Sequence, residues 1–272
     1  MNAEPKTVTK DAKIHPTAII ERGAEIGAGV EIGAYCVVGP KARLGDGVKL
    51  ASHVQIMGRT TIGAKTEVWP FAVLGGMPQF ADYQDADTDL IIGERCMIRE
   101  HVTMHRGSTR GRGTTRIGSD CLFMVASHAA HDCQVGDHVI FANNASAAGH
   151  CQIGEYAFLG GLVGVHQWTR IGKHAFIGGV VPVVADVIPY GMVSNAGVLD
   201  GLNVIGLKRR GFDREQIHDL RAAYRMLFAE EGTLAERLED VASLFAQSAE
   251  AQEIVEFIRA DAQRPLCKPA RS

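Results

Sequence analysis

Aliphatic residues recur at every sixth position from Ile14. Ile14, Ile20, Ile26, Ile32, Val38, Leu44, Leu50, Ile56, Ile62, Val68 and Leu74 follow one another without a slip. Many precede a glycine, and a small or β-branched residue stands four places later, as at Ala18, Ala24, Val30, Cys36 and Ala42. Neither a helix nor an alternating strand has that period. Three six-residue sides closing a coil of 18 predict a parallel β-helix, its inward aliphatics stacked at about 4.8 Å per coil. The frame pauses from Gly75 to Asp89, resumes at Ile92 and Ile98, pauses again from His105 to Thr115, and runs on from Ile117 to Val183. Both pauses (QFADYQDADTD and RGSTRGRGTT) are polar or glycine-rich, as expected of loops thrown out from a solenoid to cover a site.

After Pro189 the period becomes helical. Ile217, Leu220, Tyr224 and Leu227 share one face behind Asp213 as N-cap, Thr233 and Glu236 form a capping-box signature, and AEAQEIVEFIRADAQ reads as a further helix. The expected organisation is a loose tail over residues 1–12, a parallel β-helix over 13–198 with loops near 75–90 and 105–116, and a small helical domain over 199–272 whose end, RPLCKPARS, frays. The fold class is mostly β with an α-helical C-terminal part.

Composition adds little to this except at the extremes. Thirty-one glycines against 6% aromatic residues fit tight packing of small aliphatics. A net charge of −3 argues against an undirected grip on nucleic acid. No charged-then-apolar leader opens the sequence, and the apolar run from Ile177 to Val187 is interrupted by Pro182 and Asp186, so neither a secretion signal nor a membrane span is expected, and a cytoplasmic location is. Five of the six cysteines (Cys36, Cys96, Cys121, Cys133 and Cys151) fall in the small inward slot, which makes them packing residues rather than a redox or zinc set.

The candidate chemistry lies between Ser127 and Gln167. One coil above His131 comes Gly149 and one above that Gln167, with His150 just after the former and His166 just before the latter. A ladder of histidines therefore climbs one corner, with His128 beside its foot. Such a set could hold zinc, since HAAH offers two imidazoles and His150 a third. It also suits acyl transfer: His131 as a base beside Asp132, and the Gly149 N–H as an oxyanion donor unshielded by any side chain.

The motifs IREHVTMHRGS, AAHDCQVG, NNASAAGH, GVHQW and GLKRRGF, in that order on a hexapeptide solenoid with a helical tail, resemble those of the UDP-N-acetylglucosamine O-acyltransferases. The resemblance covers about residues 14–260 and implies a left-handed coil and a homotrimer. It implies that His131 is the general base, oriented by Asp132, with Gly149 holding the oxyanion. Gln79, His128, His150, His166, Gln167, Asn203 and Arg210 would contact the UDP-sugar or acyl group, and acyl carrier protein bearing a 3-hydroxyacyl chain would be the donor. No cofactor, metal or prosthetic group is implied. Phe176 and Gly179 would set the acyl length, at roughly C12 to C14 on a burial scale of about 0.8 kcal/mol per methylene. Lys208, Arg209 and Arg221, on a basic helix face, suit an acidic carrier protein.

The chain departs from that family's usual pattern at Phe80, Asp82 and Ile205, where polar or oppositely charged residues are common. These departures bear on the acceptor, so a 3-amino form of the sugar, acylated on nitrogen, is the alternative. A coenzyme A-dependent hexapeptide acetyltransferase and a non-enzymatic scaffold are the competing readings.

Overall fold

The computed structural model describes residues 7–9, 11–194, 197–260 and 262–270. The six-residue repeat resolves into strands mostly two residues long, ordered in three mainly parallel sheets that form the faces of a left-handed parallel β-helix. Partners along a sheet stand one coil apart, as Ile14 with Ile32 and Ile32 with Leu50. The second residue of each strand from Ile26 to Val183 points inward and is buried, and the slot four places later is filled by Ala24, Val30, Cys36 and their successors. Midway along the chain this column takes Phe123 and Phe141, stacked 4.5 Å apart inside the coil. All six cysteines are free and buried.

The three corners explain how so tight a coil is turned. Three places after each inward aliphatic the backbone enters the left-handed region, with φ between 56 and 68° at Tyr35, His53, Phe71 and His101 on one corner, at His138, Tyr156, His174 and Tyr190 on the next, and at Asp132, His150 and Trp168 on the third. Each such residue costs on the order of 1 kcal/mol. Contacts between coils offset it: His53 N donates to Ala34 O at 2.9 Å, and the rings from Tyr35 to His101 stack at 5.0 to 5.1 Å.

Both excursions leave at the third corner. One joins Val73–Gly76 to Asp89–Ile92 and the other Thr103–His105 to Thr114–Ile117, the same two sheets that the turn at Asp132 joins one coil higher. Arg59 therefore pairs with Asp89, 30 positions on instead of 18, and Asp89 with Thr114, 25 positions on.

Two boundaries differ from those expected. Thr7–Val8 already pairs with Glu25–Ile26, so the coil begins within the stretch assigned to a tail; Val8 stands six before Ile14 and continues the frame. At the other end RPLCKPARS does not fray over its described part, because Asp186 bridges to Leu266, Val198 to Lys268, and Cys267 is buried. Between them four helices follow: α1 (Val204–Arg209), α2 (Arg214–Leu227), α3 (Leu234–Leu244) and α4 (Ala249–Arg259). Thr233 closes a capping box with Glu236, as its spacing predicted, and Asp213, expected as an N-cap, caps α2 and also closes a box with Gln216. Helix α4 lies against the upper coils through Arg170, whose guanidinium sits 4.4 Å from the Phe257 ring, and through Glu253, which bonds Lys173 and Tyr190. Among the described residues no helix is long and apolar enough to cross a membrane.

Candidate active site

Asp132 is fully buried, and the second excursion is what buries it. Its Oδ2 accepts from Ser108 Oγ at 2.6 Å and Ser108 N at 3.1 Å, and its Oδ1 accepts from Gly113 N at 3.0 Å. Gly111 must be glycine, since a Cβ there would stand 2.5 Å from both the carboxylate and the His150 ring. Burial opposes ionisation of Asp132, but the bonds from His131 and Ser108 outweigh it and hold the carboxyl below its usual range. An ionised carboxylate can only accept. His131 Nδ1, 2.9 Å from Asp132 Oδ2, must therefore carry the proton, and the Nε2 lone pair is left free.

His131 faces a cavity of about 320 Å³ lined by Gln79, Phe80, His105, His128, Ser146 and Gly149, among others. Phe80 presents its edge to the imidazole at 4.5 Å between centroids. The ring lies so close over Gly149 that a Cβ there would approach it to 2.3 Å. The Gly149 N–H donates to no protein acceptor among the described residues and is available to a ligand. Acid-base pairs between the excursions close the wall: Arg110 binds Asp82 and Arg106 binds Asp85, while Arg110 also lies 5.6 Å from the Phe80 ring.

Below His131, His128 Nδ1 bonds Thr103 Oγ1 at 2.8 Å and packs edge-on to His105 at 4.7 Å. Burial, then the neighbouring His128 and His131 imidazoles, lower the pKa of His105 to about 4. A histidine held neutral by the fold stabilises fully above its unfolded value of about 6.5, and this stability is lost as pH falls towards 4 and the unfolded chain takes the proton first. His105→Gln is expected to flatten the decline of Tm between pH 6.5 and 4 by about one proton's worth, measurable by thermal melts across that range. An unchanged slope would place the acid sensitivity elsewhere.

Comparison with known proteins gives one consistent answer. A family model described as "Udp N-acetylglucosamine O-acyltransferase; Domain 2" matches residues 186–267. The acyl-[acyl-carrier-protein]--UDP-N-acetylglucosamine O-acyltransferase of Caulobacter vibrioides is 60% identical over 259 residues, 95% of this chain and 98% of that one, and that of Brucella ovis is 47% identical over 96% and 94%. The solved UDP-N-acetylglucosamine acyltransferase of Campylobacter jejuni superposes with a TM-score of 0.89 at 33% identity, covering 95% of this chain and all of its own. The chain belongs to the UDP-N-acetylglucosamine O-acyltransferase family.

In this family member Gln79, His128, His131, Asp132, Gly149 and His150 are brought to one corner. The ladder there does not continue to His166 as expected. Its column is His131, His150 and Trp168, because residues 150 and 168 occupy the same left-handed position one coil apart: the two rings stack at 3.7 Å with 2° between planes. His166 stands two places earlier and is exposed, and Arg264 bonds both its Nδ1 and the Gln167 carbonyl. Asn203 is occupied structurally, capping α1 through Gly206 N and donating to His174 O at 3.0 Å. Arg210 bonds Tyr156 O, on that same corner rather than the histidines'. Phe176 stacks on Phe158 at 5.2 Å on another face, and Gly179 precedes the corner next to it, where a Cβ would come within 3.2 Å of Gly161 O. Within one chain, these last four do not meet the histidines. The HAAH pair is not a joint ligand set either, since His128 turns towards Thr103 and His105. Ser108, His105, Trp168 and Arg264 were missed as site residues. Only the glycine-rich character of 106–113 and the six-residue frame pointed towards the first three.

Proposed function

We propose that this chain transfers a 3-hydroxyacyl group from acyl carrier protein to the 3-hydroxyl of UDP-N-acetylglucosamine, the opening step of lipid A synthesis, in the cytoplasm. The observation that carries this reading is the buried Asp132–His131 pair with its free Nε2 facing a cavity beside an unengaged Gly149 N–H. Nε2 takes the hydroxyl proton as the sugar oxygen attacks the thioester carbonyl. The oxyanion is held at Gly149 N–H, and collapse expels the carrier's thiolate, to which His131 returns the proton. Gln79, His128 and His150 line or support the approach. The names and high identities of the curated relatives support the donor and acceptor.

The active unit in this reading is a homotrimer. Asn203, Arg210, Phe176 and Gly179 lie away from the histidine corner of their own chain, so they contribute to a site only across a subunit boundary. Mass spectrometry of products from UDP-N-acetylglucosamine and a panel of 3-hydroxyacyl carrier proteins tests the reaction, and absence of any acyl transfer to the sugar would end it. The apolar Phe80 edge against His131 favours one second reading, transfer to a 3-amino sugar, because an apolar wall disfavours the ammonium form and keeps an amine neutral and nucleophilic. Mild alkali distinguishes the two products, cleaving an ester and sparing an amide.

Lys208, Arg209 and Arg221 are exposed beside a groove on α1 and α2. Reversing charge at Arg209 and Arg221 together is expected to raise KM for the acyl carrier protein severalfold at low salt and less at high salt, since screening already weakens exposed charge pairs. Equal KM values at low salt would remove this face from donor recognition.

A further inference from the structure

We propose that His131, Asp132 and His150 also form a binding site for a divalent transition-metal cation, zinc by donor type, and that this ion inhibits the enzyme. One nitrogen of each imidazole and one carboxylate oxygen all lie within 4.8 Å of one another, and all three residues are buried. His131 Nδ1 stands 2.9 Å and His150 Nδ1 4.0 Å from the same atom, Asp132 Oδ2. Tetrahedral zinc with bonds of about 2.0–2.1 Å sets its ligand atoms roughly 3.3 Å apart, and the two spacings straddle that value. Small ring rotations reach it.

The second observation is His150 itself. Its ring is 95% buried, yet Nδ1 has no hydrogen-bond partner among the described residues. A polar atom buried without a partner is costly, and a ligand that engages it removes that cost. Stacked flat on Trp168, the ring cannot easily turn this nitrogen elsewhere, and the nearest anionic group is the Asp132 carboxylate. Two imidazoles and a carboxylate make a zinc-type donor set. His105 and His128, the other histidine pair, have no carboxylate between them.

Binding stands independently of the reaction. Inhibition rests on the reading of His131 as general base: a metal on Nδ1 shifts the ring proton to Nε2, removing the lone pair that accepts the sugar's proton.

Cobalt(II) is the probe for binding. The purified full chain is expected to bind one ion per subunit, with the visible d–d bands of a four-coordinate nitrogen and oxygen site and no thiolate charge-transfer band, and zinc should displace it. Asp132→Asn and His150→Gln, checked for folding by circular dichroism, should each weaken binding by about tenfold or more. His218→Gln, on α2, should not. Cobalt binding only at millimolar levels, a thiolate band, or unchanged affinity in both variants would overturn the site. Zinc should inhibit the wild type with the midpoint read from cobalt displacement and release it on chelation. Full turnover at saturating zinc would overturn the inhibition while leaving the site in place.

Discussion

Alanine at position 131 is expected to lower kcat by roughly 10²- to 10⁴-fold, the range a positioned general base supplies. The loss should fall on kcat more than on KM for either substrate, because the imidazole acts on the proton in flight. His131 is not the solvent-facing corner residue its place in the repeat suggests: it is 6% exposed and packs against Phe80 and His150. Its removal therefore also opens space, at a cost of about 1–3 kcal/mol. The carboxylate it leaves behind stays satisfied, since Ser108 and Gly113 still donate to it. The variant should thus melt cooperatively at a somewhat lower temperature. Steady-state rates with saturating carrier protein, set beside a circular dichroism melt, separate the two effects. Near-normal kcat in a folded variant would mean that another group takes the proton.

Gly149→Ala should be nearly as damaging for a different reason. The added methyl would stand 2.3 to 2.4 Å from His131 Cε1 and Nε2, well inside contact distance, so the imidazole must swing aside. Moving it strains or breaks the 2.9 Å bond to Asp132 and takes Nε2 away from the nucleophile's path. Displacement of a reacting group by about 1 Å costs on the order of 10²-fold in rate. Stability should fall as well, although φ is not in the left-handed region, because Gly149 is buried and the ring that must move is packed against Phe80 and His150. Chemical rescue separates this variant from the first. Added imidazole is expected to restore part of the activity of His131→Ala, which has an empty slot for it, and none of Gly149→Ala. Rescue of the glycine variant would show that the displaced ring leaves its slot empty, and that the backbone N–H at 149 still serves.

The sequence made the coil legible because its period of six has no other structural reading, and because a stack of identical rungs repeats one local rule many times. The same regularity placed His131, Asp132, Gly149 and His150 on one corner by counting in eighteens. What it could not place were residues outside the rule. Ser108 lies in an excursion of irregular length, so no count connects it to Asp132, 24 positions away. Trp168 obeys the rule, but its role depends on which turn position is left-handed, a property shared by residues as different as Asp132, His150 and Trp168. Arg264 reaches His166 across 98 positions through a strap without periodicity. Asn203 was assigned through the family resemblance, with no count of the frame to place it, and both ends of its amide are already used within the chain.

The two excursions have a bearing on folding as well as on chemistry. A solenoid of equivalent rungs is degenerate under translation: a coil slipped by 18 residues would still bury aliphatics on aliphatics and satisfy nearly every ladder bond. The longer steps from Arg59 to Asp89 and from Asp89 to Thr114 break that symmetry, and Asp132 caught by Ser108 and Gly113 locks the second of them to a single rung above. The loops that wall the cavity thus also index the chain, so that the rung carrying the acid and the rung carrying its base's glycine neighbour can be stacked in only one way.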